Sequence, residues 1–455
     1  MLALNTFRGT EPGVADLLPW ATLMDDGLVI NKDGSLMAGW LFKGPDVASL
    51  TPAMKNAITR HLNNTGLLGD GFAFWIETVR MPAADYPRAE HSHFPDPVSA
   101  AIDEERRRQF LAEGAHYETG QAVILVYRPP IRHQSRIISS LYSGGGEAAP
   151  VGDQQVEIFQ RACQQLEDIL GDVLLNFRRM GALRFVDRNG REHHQDELVN
   201  FLYRCLTGDE NGLNIPPCAM HLDAIIGGQE LWTGDMLKLG ERFIACVSIE
   251  GFPAESYPFI LDALSDLPFA YRFSSRFILL SGPEGKRELG RIRRKWRQRI
   301  RGLVAQVFRT SDGWINEDAA LMARQAEAAL SDAESGLLAY GYYTPVIELR
   351  GENLAALSES ARLLVRTLAR LGFAARIETV NTVEAFLGTL PGHVLPNVRR
   401  PLIHSLNFAD LLPVSSPYTG QPVNPSPLFP PNSPPLAVVA TGGATPFYYN
   451  IHQGD

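Results

Sequence analysis

The sequence predicts an α+β fold, made of ferredoxin-like α/β sandwich subdomains followed by a proline-rich C-terminal connector. Three observations lead there. Strand-helix-strand patterning occurs twice in the middle of the chain, as Arg242–Ile249, Glu255–Leu264 and Phe269–Leu280, then as Thr344–Leu349, Asn353–Leu371 and Phe373–Val380. In the last strand Phe373, Ala375 and Ile377 alternate with Arg376 and Glu378, as a half-buried strand requires. Beyond these, Pro413, Pro417, Pro422, Pro425, Pro427, Pro430, Pro431, Pro434 and Pro435 crowd one stretch. Proline at that density blocks both helix and sheet ladders and leaves a stiff, extended chain.

From the N-terminus, residues 27–44 read as a hairpin turning at Asn31-Lys32-Asp33-Gly34. Met54, Ile58 and Leu62 fall at helical spacing, and Phe72 to Val79 is an apolar strand. Pro95-Asp96-Pro97 opens a charged helix, and Gln121 to Tyr127 is a buried strand closed by Pro129-Pro130. A flexible connection spans Ser143 to Gly152. After it Val156, Phe159, Cys163, Leu166, Ile169, Val173 and Phe177 recur every three or four residues, as on a long amphipathic helix. A shorter helix at Asp196–Leu206 ends in the loop Thr207–Gly212. Helices are expected over about 284–308 and 317–330.

At 455 residues the chain exceeds one compact core. The expected division is an N-terminal α+β domain at 1–235, a central α+β domain at 236–395, a proline-rich linker at 396–440 and a terminal strand at 441–455. That strand, Pro446 to Ile451, would be the first of a further domain, because a lone strand cannot bury its two faces. Charged residues make up 20% and the net charge is −9, which argues against a protein that coats nucleic acid over its whole surface. The scattered Cys163, Cys205, Cys218 and Cys246 fit a reducing compartment. No secretory signal opens the chain, and no apolar run approaches the ~18 residues of a membrane span, so a soluble or peripheral protein is expected.

Ser281-Gly282-Pro283-Glu284-Gly285-Lys286-Arg287 follows a strand and opens a helix, where a phosphate loop would sit. Leu280 stands where the first glycine is needed and Arg287 where a hydroxyl is needed, so a plain helix start is expected. The helix itself carries the apolar stripe Leu289, Ile292, Trp296, Ile300, Leu303 and Val307. Its other faces hold a dense set of cations, among them Arg291, Arg294, Lys295 and Arg299. They read either as a solvated face paired with acidic neighbours or as a contact for an anionic surface, whether lipid, nucleic acid or an acidic subunit. Glu192-His193-His194 reads as a solvated helix start, and Cys218 with His221 lacks a second ligand pair for zinc. No catalytic, cofactor-binding or metal-binding residues are assigned on these grounds.

Four segments resemble the TrbE-type conjugal transfer ATPases of the CagE/TrbE/VirB family, in that family's order. They are Asp16–Trp20 running into Asp25–Trp40, Phe94–Val98 continuing through Ile102–Arg106, Asn397–Pro413, and the tail Thr445-Pro446-Phe447-Tyr448-Tyr449-Asn450-Ile451-His452 with Asp455. The resemblance implies the N-terminal and central assembly region of a bacterial type IV secretion ATPase, peripheral on the cytoplasmic face of the inner membrane. It implies contacts with other inner-membrane subunits, a homo-oligomer (hexamer or dimer) and a contact with anionic lipid. In the family, ATP and Mg are bound in a RecA-like C-terminal domain carrying Walker A and B. Neither motif occurs here, so that motor domain is expected to be absent, with no cofactor and no activity in this chain by itself. The alternative is a stand-alone nucleic-acid or membrane-surface module acting through the basic helix at 286–301.

Overall fold

The computed structural model describes residues 13–130, 150–187, 190–216, 221–234, 236–253, 255–292, 338–397, 401–441 and 443–451. A short helix, α1 (Val14–Leu17), leads into β1 (Trp20–Asp25), β2 (Leu28–Asn31) and β3 (Leu36–Lys43). The β2–β3 turn needs Gly34 at φ 78°. Helix α2 (Pro52–Asn63) starts where Thr51 accepts a hydrogen bond from Met54 N, with proline at its first position. Then come β4 (Phe72–Pro82), α3 (Pro97–Ala112), capped by Asp96 at 2.8 Å from Ser99 N, and β5 (Tyr117–Tyr127). Helix α4 (Pro150–Leu170) precedes β6 (Leu175–Arg179), β7 (Ala182–Val186), β8 (Glu192–Asp196), α5 (Glu197–Thr207) and α6 (Leu222–Ile226).

The later half comprises β9 (Leu231–Thr233), β10 (Leu237–Leu239), β11 (Arg242–Gly251), β12 (Tyr271–Leu279), β13 (Tyr340–Gly351) and α7 (Leu354–Arg370), with Asn353 as its cap. It closes with β14 (Ala374–Ile377), α8 (Thr382–Thr389), β15 (Leu402–His404), α9 (Ser405–Asp410), β16 (Ala437–Ala440) and β17 (Pro446–Tyr449).

Thirteen strands form one sheet in the order β1-β2-β3-β5-β4-β12-β13-β11-β10-β9, with β6 on β3, β14 on β11 and β15 on β13. The fold is thus mixed helix and sheet, with antiparallel pairing along this path. β4 pairs with β12 from Arg80↔Tyr271 to Ala73↔Ile278, so the sheet passes without a break from the first 235 residues into the rest. Each strand alternates its side chains between two helical layers. One face meets α2, α4, α7 and α9 through Phe74, Ile76, Val123, Phe273, Phe277 and Ile347. The other meets α5, α6 and α8 through Met37, Trp75, Ile124, Cys246 and Val346.

Several elements depart from the sequence reading. Glu255–Leu264 is not an α-helix but turns ending in a 3₁₀ segment, Asp262–Asp266. Pro258 cannot donate to a helix ladder, and Phe259 sits at φ 63°. Helix α4 begins at Pro150, earlier than the expected flexible connection allows. It stops at Leu170, and Phe177 belongs to β6, although the three-to-four spacing runs on. Glu192–Asp196 is a strand rather than a helix start, because it pairs with Ala182–Val186. The terminal strand does not lie alone: Pro446–Tyr449 pairs with Ala437–Ala440, a stretch counted with the linker. From 411 to 436 the chain has no helix or ladder, only an isolated bridge from Gly420 to Tyr448, and Val414, Ser415 and Ser416 are buried. The helix at 317–330, and 284–308 beyond residue 292, lie outside the described residues.

Candidate functional site

On the face toward α5 and α8 the middle of the sheet is charged. Glu77 on β4, Arg272 and Ser274 on β12 and Glu348 on β13 stand on neighbouring strands at paired positions, Ser274↔Glu77 and Arg272↔Glu348. All four are buried. Arg272 Nη1 lies 3.0 Å from Glu77 Oε2, and its Nη2 lies 2.6 Å from Glu348 Oε2. Ser274 Oγ donates to Glu77 Oε1 at 2.6 Å. Arg350 reaches Glu348 from the far side and donates to the carbonyls of Leu206 (2.7 Å) and Cys205 (2.9 Å) at the C-terminal end of α5. A cation there meets the negative end of the helix dipole.

Burial pushes Glu77 up to about 7, an effect that Arg272 only partly offsets. Burial also pushes Glu348 upward, but Arg350 and Arg272 together outweigh it and hold its carboxyl below the ordinary range. For Arg272 the two carboxylates overcome the loss of water, so its guanidinium stays charged. Beside this row opens a cleft of about 640 Å³ lined by Val79, Met81, Arg204, Arg242, Arg272 and Arg350. Cys205 on its wall is an inert thiol, pushed up to about 12 by burial. The arrangement anchors backbone; it offers no activated nucleophile among the residues named.

What it anchors is the chain after α8. Arg272 donates to the Thr389 carbonyl at 3.2 Å. Arg276, also fully buried, donates to the carbonyls of His393 (3.0 Å), Pro396 (2.8 Å) and Asn397 (3.2 Å). On the opposite face, near the end of β4, Arg80 donates to the carbonyls of Leu267 (2.9 Å) and Gly443. Thr78 and Gln121 both donate to the Pro413 carbonyl, at 2.6 and 3.1 Å. At Gly44 the strap passes so close that a Cβ would lie 1.5 Å from the Val414 carbonyl oxygen. The β16–β17 hairpin is seated by Tyr117 N donating to Ala444 O at 2.9 Å and by Tyr448 Oη donating to Glu118.

Of the residues singled out for an anionic surface, Arg291 is exposed and pairs with Glu288 at 2.6 Å. Arg294, Lys295 and Arg299 lie outside the described residues. The helix at 282–292 starts where Ser281 Oγ accepts from Glu284 N at 3.2 Å, and Leu289 is buried as the stripe predicts. His193 lies between Asn214 and Asp187, each 3.1 Å away. Cys218 lies outside the described residues; among those described, no three His, Cys, Asp or Glu side chains gather as a metal site. No helix among them is long and apolar enough to cross a membrane. The buried arginines escaped the sequence reading. Their signal was present in Arg272-Phe273-Ser274-Ser275-Arg276-Phe277, where two arginines share one face of an otherwise buried strand.

Comparison with known proteins places these features in context. The description "Type IV secretion system ATPase VirB4/TrbE, N-terminal domain" matches residues 27–135. "CagE, TrbE, VirB family, component of type IV transporter system" matches residues 187–399. The conjugal transfer protein TrbE of Rhizobium radiobacter is 42% identical across 100% of this chain, which covers 56% of that protein. A shorter relative, a probable conjugal transfer protein TrbE of Sinorhizobium fredii, is 48% identical over 130 residues, 28% of this chain and 87% of that protein. The type IV secretion system protein virB4 of Bartonella henselae is 21% identical over 97% of this chain and 53% of its own length. The chain thus spans about half the length of the longer relatives it matches.

Proposed function

The chain belongs to the TrbE/VirB4 family of type IV secretion ATPases, and we propose that it forms the assembly platform of a conjugal transfer ATPase. In this reading ATP and magnesium are used by a RecA-like part of such an ATPase, outside these residues. The platform sits on the cytoplasmic face of the inner membrane, contacts inner-membrane subunits, joins a homo-oligomer and fixes where the motor is held. Pilus assembly and substrate transfer are what the intact ATPase would energise. The observation that carries this reading is the set of buried arginines, Arg80, Arg272 and Arg276, which grip backbone carbonyls at 389–397 and 443. Each bond to a charged donor contributes about 1.5–3 kcal/mol. A chain gripped at several points is suited to holding position rather than to swinging as a tether.

The test is overproduction of this chain in a donor cell that also carries the intact ATPase. A platform occupies docking positions without powering them, so transfer frequency falls, while the purified chain turns over no Mg-ATP. Unchanged transfer frequency, or ATP turnover by the purified chain, overturns the reading.

A further inference from the structure

Strands β7 and β8 form a two-stranded sheet apart from the main one. Every residue of β7 is exposed, including Leu183, Phe185 (47%) and Val186 (63%), and Leu175 on neighbouring β6 is 57% exposed. The register Arg184↔His194 and Phe185↔His193 puts Leu183 and Phe185 on one face of the hairpin, and Arg184 and Val186 on the other. Phe185 is backed only on one side, by the His193 ring at 4.9 Å. A two-stranded ribbon is marginal alone, and one with apolar groups on both faces gains stability from being surrounded.

The charge around it is opposite to that of the protein. Residues 175–191 hold five arginines, at 178, 179, 184, 188 and 191, and one acidic residue, Asp187, in a chain of net charge −9. Arg178 is bridged to Glu197 at 2.7 Å, and Arg179 lies over the Trp40 ring. Arg184 and Arg191 are exposed and make no ion pair with a described carboxylate.

We propose that this hairpin is the element that enters the headgroup layer of an anionic lipid surface. The proposal rests on the membrane-docking reading above and assigns its contact to the hairpin rather than to the helix carrying Arg291. Apolar groups that face both ways and sit beside the 187–191 turn present a wedge rather than a single flat patch. A fluid acyl–headgroup boundary can close around a wedge, while the arginines reach phosphates above it. A rigid protein surface would cover one face and leave Val186 or Phe185 in water.

The experiment is sedimentation of the purified chain with phosphatidylglycerol–phosphatidylcholine vesicles, and with pure phosphatidylcholine as control. Wild type binds the anionic vesicles, less so at high salt. At about 1 kcal/mol per arginine near an anionic surface, Arg184→Gln/Arg191→Gln weakens partitioning about 30-fold. Phe185→Ser/Val186→Ser weakens binding to the same vesicles and removes the salt-resistant part. Far- and near-UV circular dichroism verifies that each variant is folded, and the charge variant leaves the Phe185–His193 stack untouched. Arg291→Gln binds as wild type does. Hairpin variants that sediment like wild type, or a loss confined to Arg291→Gln, overturn the proposal but leave the platform reading standing. Wild type that ignores anionic vesicles yet is retained on polyglutamate overturns it in favour of an acidic protein partner. The platform reading itself fails separately, through unchanged transfer frequency.

Discussion

The two faces of the central sheet are built from the same strands by opposite means. Toward α4, α7 and α9, β12 and β13 present Phe273, Phe277, Ile347 and Leu349; one residue along, toward α5 and α8, they present Arg272, Ser274, Arg276 and Glu348. The first face is held by volume and area, which are non-directional, so any side chain of similar shape serves. The second is held by fork-shaped donors aimed at particular oxygens, and these specify where a distant stretch of chain must lie. The difference teaches that stability and position are supplied by separate sides of one layer.

The largest effect expected from breaking this contrast is at Arg272. Arg272→Leu strands Glu77 and Glu348 as buried carboxyls and lowers unfolding free energy by about 3–5 kcal/mol, read by urea denaturation. Replacing the whole row, Glu77→Leu/Arg272→Met/Glu348→Leu, recovers most of that loss, since packed apolar groups need no partners. A triple variant as unstable as the single one would show that the row stabilises by more than pairing.

Conservative swaps sharpen the comparison at a smaller scale. Arg276→Lys keeps the charge but not the fork that meets His393, Pro396 and Asn397, and loses about 2 kcal/mol. Its neighbour on the apolar face, Phe277, stacks on Phe408 at 4.2 Å. Phe277→Leu is expected to lose under about 1.5 kcal/mol. If the phenylalanine swap proves the more damaging in thermal melts, the assignment of directionality to the charged face is wrong.

The smallest effect is a pH slope. The Glu77 carboxyl is raised in the folded protein from 4.5 to about 7, so between those values the folded state holds a proton that the unfolded state has released. Its contribution is fully present below about pH 4.5 and is lost as pH rises through about 7. Wild type should therefore lose stability across that window relative to Glu77→Gln, whose profile lacks this component. Parallel profiles would mean that Glu77 titrates near its ordinary value.

Much of the sheet was legible in the sequence because apolar runs and caps act locally. Phe72 to Val79, Gln121 to Tyr127 and the Asn353-capped helix stand where periodicity and capping place them. What stayed hidden depends on distant partners. Nothing near Glu192-His193-His194 reveals that Ala182–Val186 will pair with it. Nothing near Pro446–Tyr449 points to Ala437–Ala440 across the intervening turn. The proline tract does lack regular structure, as its composition requires. Burial of Val414, Ser415 and Ser416 arises from Gln121, Thr78 and Gly44, more than 290 residues earlier in the chain. The charged row was visible only as letters, since a charged residue within an apolar strand says nothing about which carbonyl it will meet.

That the chain after α8 is held in one place by buried arginines is tested most directly by native-state hydrogen exchange of the intact protein, followed by mass spectrometry. The segments to watch are 390–397 and 443–449, compared with β12. Both segments should be protected to a degree approaching that of β12 in wild type, and Arg276→Gln should release 390–397 selectively. Exchange of either segment at the rate of an unstructured peptide in the wild type, with β12 still protected, would contradict the account.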